Sequence, residues 1–354
     1  MILPIAPAAA PTFDDPEFGG QWYLDELGMV DLFERGLGDP SIRIGVIDSG
    51  IDVSHPDLAP AVLAPLDIVG DDDDPTPDDP TDDHGTAVSG IVAARANNGD
   101  GIVGMCPECT LVPVRLIGAN ELSGDVAAFE HMLEQNVAVV NNSWGFTEVI
   151  TVPSALEEVI DRLARTGRDG KGTVVVFAAG NDSREIRPDE LQAMERVLCV
   201  TALDRYGLPA NFTNEGLSVD VAAPAATVSI APNDGIITNF GGTSSAAPVV
   251  SGIAGWLLSL APDLKAAEVR DLIRDTAYKT SQVTFQGGHH PVYGYGEIDP
   301  VALVAALDAE DAPDPVDEEE APKGCGCDHT TSGFGLLGAL ALAGVARRRH
   351  GRGR

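Results

Sequence analysis

Five short apolar runs, each with aliphatic residues at consecutive positions, constrain this chain more than any other feature: IRIGVI at 42–47, LVPV at 111–114, VAVV at 137–140, TVVVFAA at 173–179 and VLCVTA at 197–202. They are the length of strands, and a strand that is apolar at every position must bury both of its faces. Between and after them lie segments of helical length, roughly 84–96, 123–135, 154–166, 244–260 and 266–278. Strands buried on both faces and separated by helices predict an α/β fold, a largely parallel β-sheet with helices on both faces in three layers. In such folds the reactive groups gather at the carboxyl ends of the strands.

The charge balance bounds the partners. Lys and Arg total 22 against 55 Asp and Glu, a net charge of -33 over 354 residues. Such a chain repels phosphate backbones, which argues against nucleic acid. It suits a solvated surface, a salty or extracellular medium, or cation binding. The five cysteines are too few and too uneven for a dense disulfide framework. The run C-P-E-C at 106–109 is open to a local disulfide, half a metal site or a redox pair; with no second such pair or His pair nearby, a disulfide in an oxidising compartment is favoured. Cys199, inside an apolar strand, reads as a buried inert thiol.

The ends differ from the middle. Residues 1–12 are Pro- and Ala-rich, with neither the basic nor the long apolar stretch of a secretory signal, so a start upstream of this chain is expected. The globular part is expected over 13–308. Residues 309–324 are acidic and Pro-rich and read as a linker. From 325 to 354 come Cys-Gly-Cys, an apolar stretch over about 330–346 and an Arg-rich end. Seventeen residues as a helix reach about 25 Å, the lower limit for crossing a bilayer.

Four residues carry candidate chemistry. Asp48 closes the first apolar run, in V-I-D-S-G. His84 opens a helical segment in D-H-G-T-A, where Gly85 lets another backbone come close. Asn181 follows a strand in A-A-G-N, and Ser244 opens an apolar helix in G-G-T-S-S-A-A-P. Singly, each has an ordinary explanation: a strand-end Asp, a surface His, a turn Asn, an N-cap Ser. Together they sit at strand ends or helix starts of one α/β pattern, which suits a nucleophile, a general base, its orienting carboxylate and an oxyanion donor.

These motifs resemble the subtilisin-like serine peptidases: V-I-D-S-G-I-D at 46–52, H-G-T-A at 84–87, A-A-G-N at 178–181 and G-T-S-S-A-A-P at 242–248. The resemblance spans about 13–308 and implies a triad of Asp48, His84 and Ser244 with Asn181 in the oxyanion hole, the Asp, His, Ser order being that of subtilisin. It implies that peptide substrates bind as an added strand along Ser123-Gly124 and Ser143-Trp144-Gly145. The N-S-W-G at 142–145 is closer to kexin-like convertases, but no P-domain sequence follows. The floor of the primary specificity pocket is expected near Arg187, Asp189 and Glu190, with those charges facing solvent.

The same resemblance implies calcium. The loop A-N-N-G-D-G-I-V-G at 96–104 is similar to the family's strong calcium loop, with Asn98 and Asp100 side chains, backbone oxygens near Arg95 and Ile102, and Asp57 and Asp15 completing a cage of hard oxygen ligands. The run at 71–83 resembles a second, thermitase-type loop, with Asp67, Asp72, Asp74, Thr76 and Asp78 as ligands. The segment from Cys325 resembles the Cys-Gly-Cys (MYXO-CTERM-type) sorting tails of myxobacterial surface proteins, which implies export, a processing peptidase acting on the tail, and surface anchoring. A missing propeptide inhibitor is expected upstream. An intracellular relative, and an adhesion protein on an inactive peptidase scaffold, are the competing readings; the sorting tail argues against the first and the intact triad against the second.

Overall fold

Seven parallel strands make the central sheet: β1 (Arg43–Asp48), β2 (Leu66–Asp67), β3 (Thr110–Arg115), β4 (Val139–Asn142), β5 (Val174–Ala178), β6 (Val197–Leu203) and β7 (Val221–Pro224). Their order is β2-β3-β1-β4-β5-β6-β7, and every neighbouring pair runs parallel. A two-stranded antiparallel hairpin, β8 (Thr227–Ala231) with β9 (Gly235–Phe240), stands apart from it. The computed structural model describes residues 12–310 except 80, 120 and 147–149. The expected N-terminal extension, the linker and the sorting tail lie outside those residues, the extension but for Thr12 and the linker but for its first two positions.

Eight α-helices, besides five short 3-10 helices, lie in the described chain: α1 (Trp22–Glu26), α2 (Met29–Leu32), α3 (His84–Ala93), α4 (Leu122–Glu134), α5 (Ser154–Thr166), α6 (Thr243–Leu260), α7 (Ala266–Thr276) and α8 (Pro300–Glu310). The strand period of two explains why the apolar runs are continuous. Ile44 and Val46 of β1, Val139 of β4 and Val174 and Val176 of β5 join one core with α3, α6 and α7. Their neighbours Ile47, Val140, Val175 and Phe177 join a second core with α4 and α5. Each such side chain contributes roughly 1.5–3 kcal/mol on full burial.

The helices follow their own period. Leu156, Val159, Ile160 and Leu163 of α5 are buried at i, i+3, i+4 and i+7, while Glu157 and Glu158 face outward. By contrast α6 is buried nearly all round, which is why it passes through the core. It is also the one described helix with the length and apolarity of a membrane span, and its burial makes it a core helix.

Pro248 lies inside α6, past its first turn, because the helix begins at Thr243. Proline has no N–H, so the carbonyl four residues back, that of Ser244, loses its helical donor. Ser143 Oγ fills the vacancy, donating to the Ser244 carbonyl at 3.0 Å. Cys106 and Cys109 form a disulfide, and Cys199 is a buried free thiol that burial pushes well above its ordinary pKa.

Candidate active site

The carboxyl end of β1 presents Asp48, which is buried. Its Oδ1 accepts from the Ser49 amide at 2.8 Å and faces His84 Nδ1 at 2.6 Å. His84 is the first residue of α3, and Gly85 behind it explains the approach: a Cβ there would stand 2.1 Å from the Gly50 carbonyl oxygen. Only glycine lets the start of α3 lie against the turn that follows β1. Desolvation works to lower the His84 pKa, but Asp48, Asp82 and Asp83 outweigh it and hold the imidazole above its usual 6.5. Phe240 of β9 packs edge-on to the ring at 5.5 Å.

Ser244 stands in the first turn of α6, where backbone amides have no intrahelical acceptor. Its Oγ donates to the Ser143 carbonyl at 3.1 Å. Among the described hydrogen bonds it is therefore turned to the substrate-side segment and not to His84. Asn181 follows β5, and its Oδ1 accepts from the Thr243 amide at 2.9 Å and from Thr243 Oγ1 at 3.1 Å. That fixes the amide so that Nδ2 faces away from Thr243. Gly242, at φ 77°, admits this arrangement; a Cβ on it would come within 3.3 Å of Asn181 Nδ2.

A cavity of about 190 Å³ adjoins Ser244 and Asn181. Ser143, Trp144 and Gly145 form one wall and 178–181 the other. Trp144 is held by Phe177 at 5.5 Å and Phe146 at 6.4 Å. The charges expected to face solvent divide. Arg187 and Asp189 pair with each other at 2.6 Å outside the cavity. Glu190 is instead buried and lines it together with Arg184, which grips it through two bonds of 2.8 and 2.7 Å. Two guanidinium donors and the Arg187 amide leave a buried carboxylate satisfied, which solvent exposure would not require.

Ser123 and Gly124 are not extended as the sequence reading has them. They lie in the first turn of α4, and the Gly124 amide is taken by the Glu121 carbonyl at 2.9 Å.

A model of the subtilase family matches residues 39–296. The chain belongs to the subtilase family. It is 34% identical over 294 residues to a thermophilic serine proteinase of Bacillus sp. strain AK1, covering 82% of this chain and 68% of that protein. It is 31% identical over 260 residues to subtilisin E of Bacillus subtilis strain 168, covering 72% and 65%. Against the calcium-dependent protease of Nostoc sp. strain PCC 7120 it is 29% identical, covering 84% of this chain and 53% of that one, so it spans about half that relative's length. A serine protease of Aeromonas sobria, solved with a chaperone, shares the fold with a TM-score of 0.75 at 22% identity, over 88% of this chain and 69% of that chain.

In this subtilase the first expected calcium set comes together around Asp57, which is fully buried. Its Oδ1 accepts from Asn98 Nδ2 at 2.8 Å and its Oδ2 from the Ile102 amide at 2.9 Å, while its carbonyl accepts from the Arg95 amide. Asp15, also buried, accepts from the Asn97 amide at 2.9 Å. Burial, with Asp15 and Asp100 adding repulsion, pushes the Asp57 carboxyl up to about 7. The Asp100 side chain is exposed, and its amide bonds Asn98 Oδ1. No three acidic, His or Cys side chains among the described residues gather closely enough to hold a metal by themselves. Amide and backbone oxygens must supply the rest, and a buried carboxylate short of positive charge fits a hard cation.

The second set reads differently. Arg115 bonds Asp67 at 3.0 Å, Asp78 at 2.7 Å and the Thr76 carbonyl at 3.5 Å. Asp72 and Asp74 accept from the amides of Asp74 and Thr76. A guanidinium thus already neutralises two of the five expected ligands, a partner that lies 48 residues from Asp67 and has no local signal. The sequence reading also omits Asp82, which accepts from Ser49 Oγ at 2.7 Å and the His84 amide at 3.3 Å, and Thr243, which orients Asn181. Each stands within two residues of His84 or Ser244, the one signal available for them.

Proposed function

We propose that this chain is a serine endopeptidase that cleaves peptide bonds in proteins through Asp48, His84 and Ser244. The reading is carried by the 2.6 Å contact between Asp48 and His84 Nδ1, together with the cavity that Ser244 and Asn181 share. Asp48 Oδ1 holds the Nδ1 proton, so Nε2 is left as the base. Proton transfer requires the Ser244 side chain to leave the Ser143 carbonyl and turn towards Nε2. His84 takes its proton as Oγ attacks the scissile carbonyl. The oxyanion receives hydrogen bonds from Asn181 Nδ2 and the Ser244 amide, the latter at the positive end of α6. His84 then returns the proton to the leaving amine, and water, activated the same way, releases the acyl group.

The extended segment 143–145 is available to pair with substrate backbone as an added strand. Because α4 is helical from Leu122, the backbone pairing is assigned to 143–145 and the first substrate side chain to the cavity. A calcium ion held by Asp15, Asp57, Asn98 and backbone oxygens of the 95–102 loop would tie the N-terminal segment to the end of α3; its role is structural. Export is supported by relatives such as a halolysin-like extracellular serine protease of Natrialba magadii, 30% identical over 294 residues. Tail processing then predicts that mass spectrometry of the mature native protein recovers no peptide containing Arg349; its recovery from the cell surface would count against processing.

Hydrolysis of an unfolded protein substrate tests the catalytic reading. Ser244→Ala should abolish turnover with the fold intact. Asn181→Ala should retain weak turnover, about 10²–10³-fold down in kcat, the loss that the subtilisin example of this donor shows. Equal rates for wild type and Ser244→Ala would defeat the assignment.

A further inference from the structure

A second opening lies at the amino ends of the strands, opposite Ser244. There a cavity of about 200 Å³ is bounded by the starts of β5 and β6, the end of α5 and the start of α7. Its floor is apolar and buried: Ala164, Val174, Leu198 and Ala266. Its rim is Arg165, Lys171, Arg196, Lys265 and Arg270. Five of the chain's 22 basic side chains therefore ring one cavity, and none of the described residues lining it is acidic, although acidic residues outnumber basic ones 55 to 22.

The pairing is incomplete. Asp161 is shared between Arg165 Nε at 2.7 Å and Arg196 Nε at 2.8 Å. Asp263 accepts from Lys171 at 2.9 Å. Arg270 bonds only a backbone carbonyl, that of Glu195, and its Nε is buried with no partner among the described residues. Burial and the neighbouring Arg274, with Arg196 adding to them, outweigh the attraction of Asp220 and Asp271 and hold this guanidinium below its usual pKa. Long cationic stems covering apolar surface are ordinary. That accounts for Lys171 and Arg165, but not for a buried guanidinium N–H without an acceptor among the described residues. The start of α7 is not the source of the site, because the Lys265 and Ala266 amides are already taken by Glu268 and by the Lys171 carbonyl.

We propose that this cavity binds a small organic anion, a carboxylate or phosphate ester carried on a short apolar body. Guanidinium forks match both oxyanions in bidentate geometry, and the apolar floor takes the body. The volume is below that of pockets for drug-sized ligands, about 300–1,000 Å³, so the body is a few carbons long. A polyanion is disfavoured: the part of it that reaches past the basic rim lies within a Debye length, about 8 Å, of the surface of a chain at -33.

Isothermal titration at constant ionic strength tests this, on full-length protein blocked with phenylmethylsulfonyl fluoride against autolysis. The probes are hexanoate, hexyl phosphate and hexanol. One or both anions should bind saturably, and which one does identifies the oxyanion; hexanol should not. Arg196→Gln and Arg270→Gln should each weaken binding at least about tenfold, a loss of about 1.4 kcal/mol. Lys279→Gln, remote from the rim, should not. Should either Arg variant fail to fold, the exposed Lys265→Gln replaces it, with weakening again expected. No saturable binding of either anion, equal binding of hexanol, or unchanged affinity in the rim variants overturns the proposal.

Discussion

Asp57→Asn should make the calcium-free protein more stable and abolish its response to calcium. In the folded chain burial, helped by Asp15 and Asp100, lifts Asp57 from 3.8 to about 7. That difference of about 3 pH units, at 1.36 kcal/mol each, is an order-of-magnitude cost of about 4 kcal/mol for keeping the carboxylate ionised without a cation. Because the folded pKa lies above the unfolded one, the folded state holds a proton that the unfolded chain releases. Stability in chelator therefore falls as pH rises from 3.8 to about 7 and is flat beyond. Calcium opposes the loss by RT ln(1 + [L]/Kd), about 2.7 kcal/mol at a hundredfold excess over Kd. The assay is thermal unfolding of sulfonyl-blocked enzyme at a pH above the raised value, in EDTA, in calcium, and in sodium of equal ionic strength. Domains of 150–250 residues shift by roughly 2–4 °C per kcal/mol. The Asn variant should thus melt several degrees above wild type in EDTA and gain nothing from calcium. Identical wild-type midpoints in EDTA and calcium, or an Asn variant that melts below wild type in EDTA, would refute the reasoning.

Two further outcomes follow from the site. With Asp48, Asp82 and Asp83 holding His84 above 6.5, kcat/KM should rise with pH through an inflection above that value, as the base must be neutral, and Asp82→Asn should move the inflection down; an unmoved inflection would remove Asp82 from the site's electrostatics. Glu190→Leu leaves the Arg184 guanidinium beside the cavity without its carboxylate, so cleavage-site profiling should show a shift towards acidic side chains before the scissile bond. An unchanged profile would mean that the pair does not face the substrate.

The sequence made the sheet legible where burial on two faces forced continuous apolar runs, at β1, β3, β4, β5 and β6. It hid β2, which is two residues long, and β7, whose Val-Ala-Ala-Pro lacks strand character. It also hid β9, whose alternating exposure leaves few apolar positions to read. Asp48, His84 and Ser244 stood out because each lies at a strand's end or in a helix's first turn. Two features escaped because the deciding partner is not announced by the local sequence. Glu190 was read as solvated because nothing local announces that Arg184 folds over it. The guanidinium on Asp67 and Asp78 was equally hidden, because Arg115 reaches them only after β3 pairs with β2. Ser123 and Gly124 were read as extended because Ser and Gly serve a strand's edge and a helix's first turn equally well.

The most direct test of the central claim is covalent capture of the nucleophile. Treated with a fluorophosphonate and digested, the protein should carry one phosphonyl group, on the peptide containing Ser244. Labelling should disappear in Ser244→Ala and slow by orders of magnitude in His84→Ala, since Oγ then has no base to take its proton. An adduct on another residue, or undiminished labelling in His84→Ala, would contradict the assignment of Asp48, His84 and Ser244 as one catalytic unit.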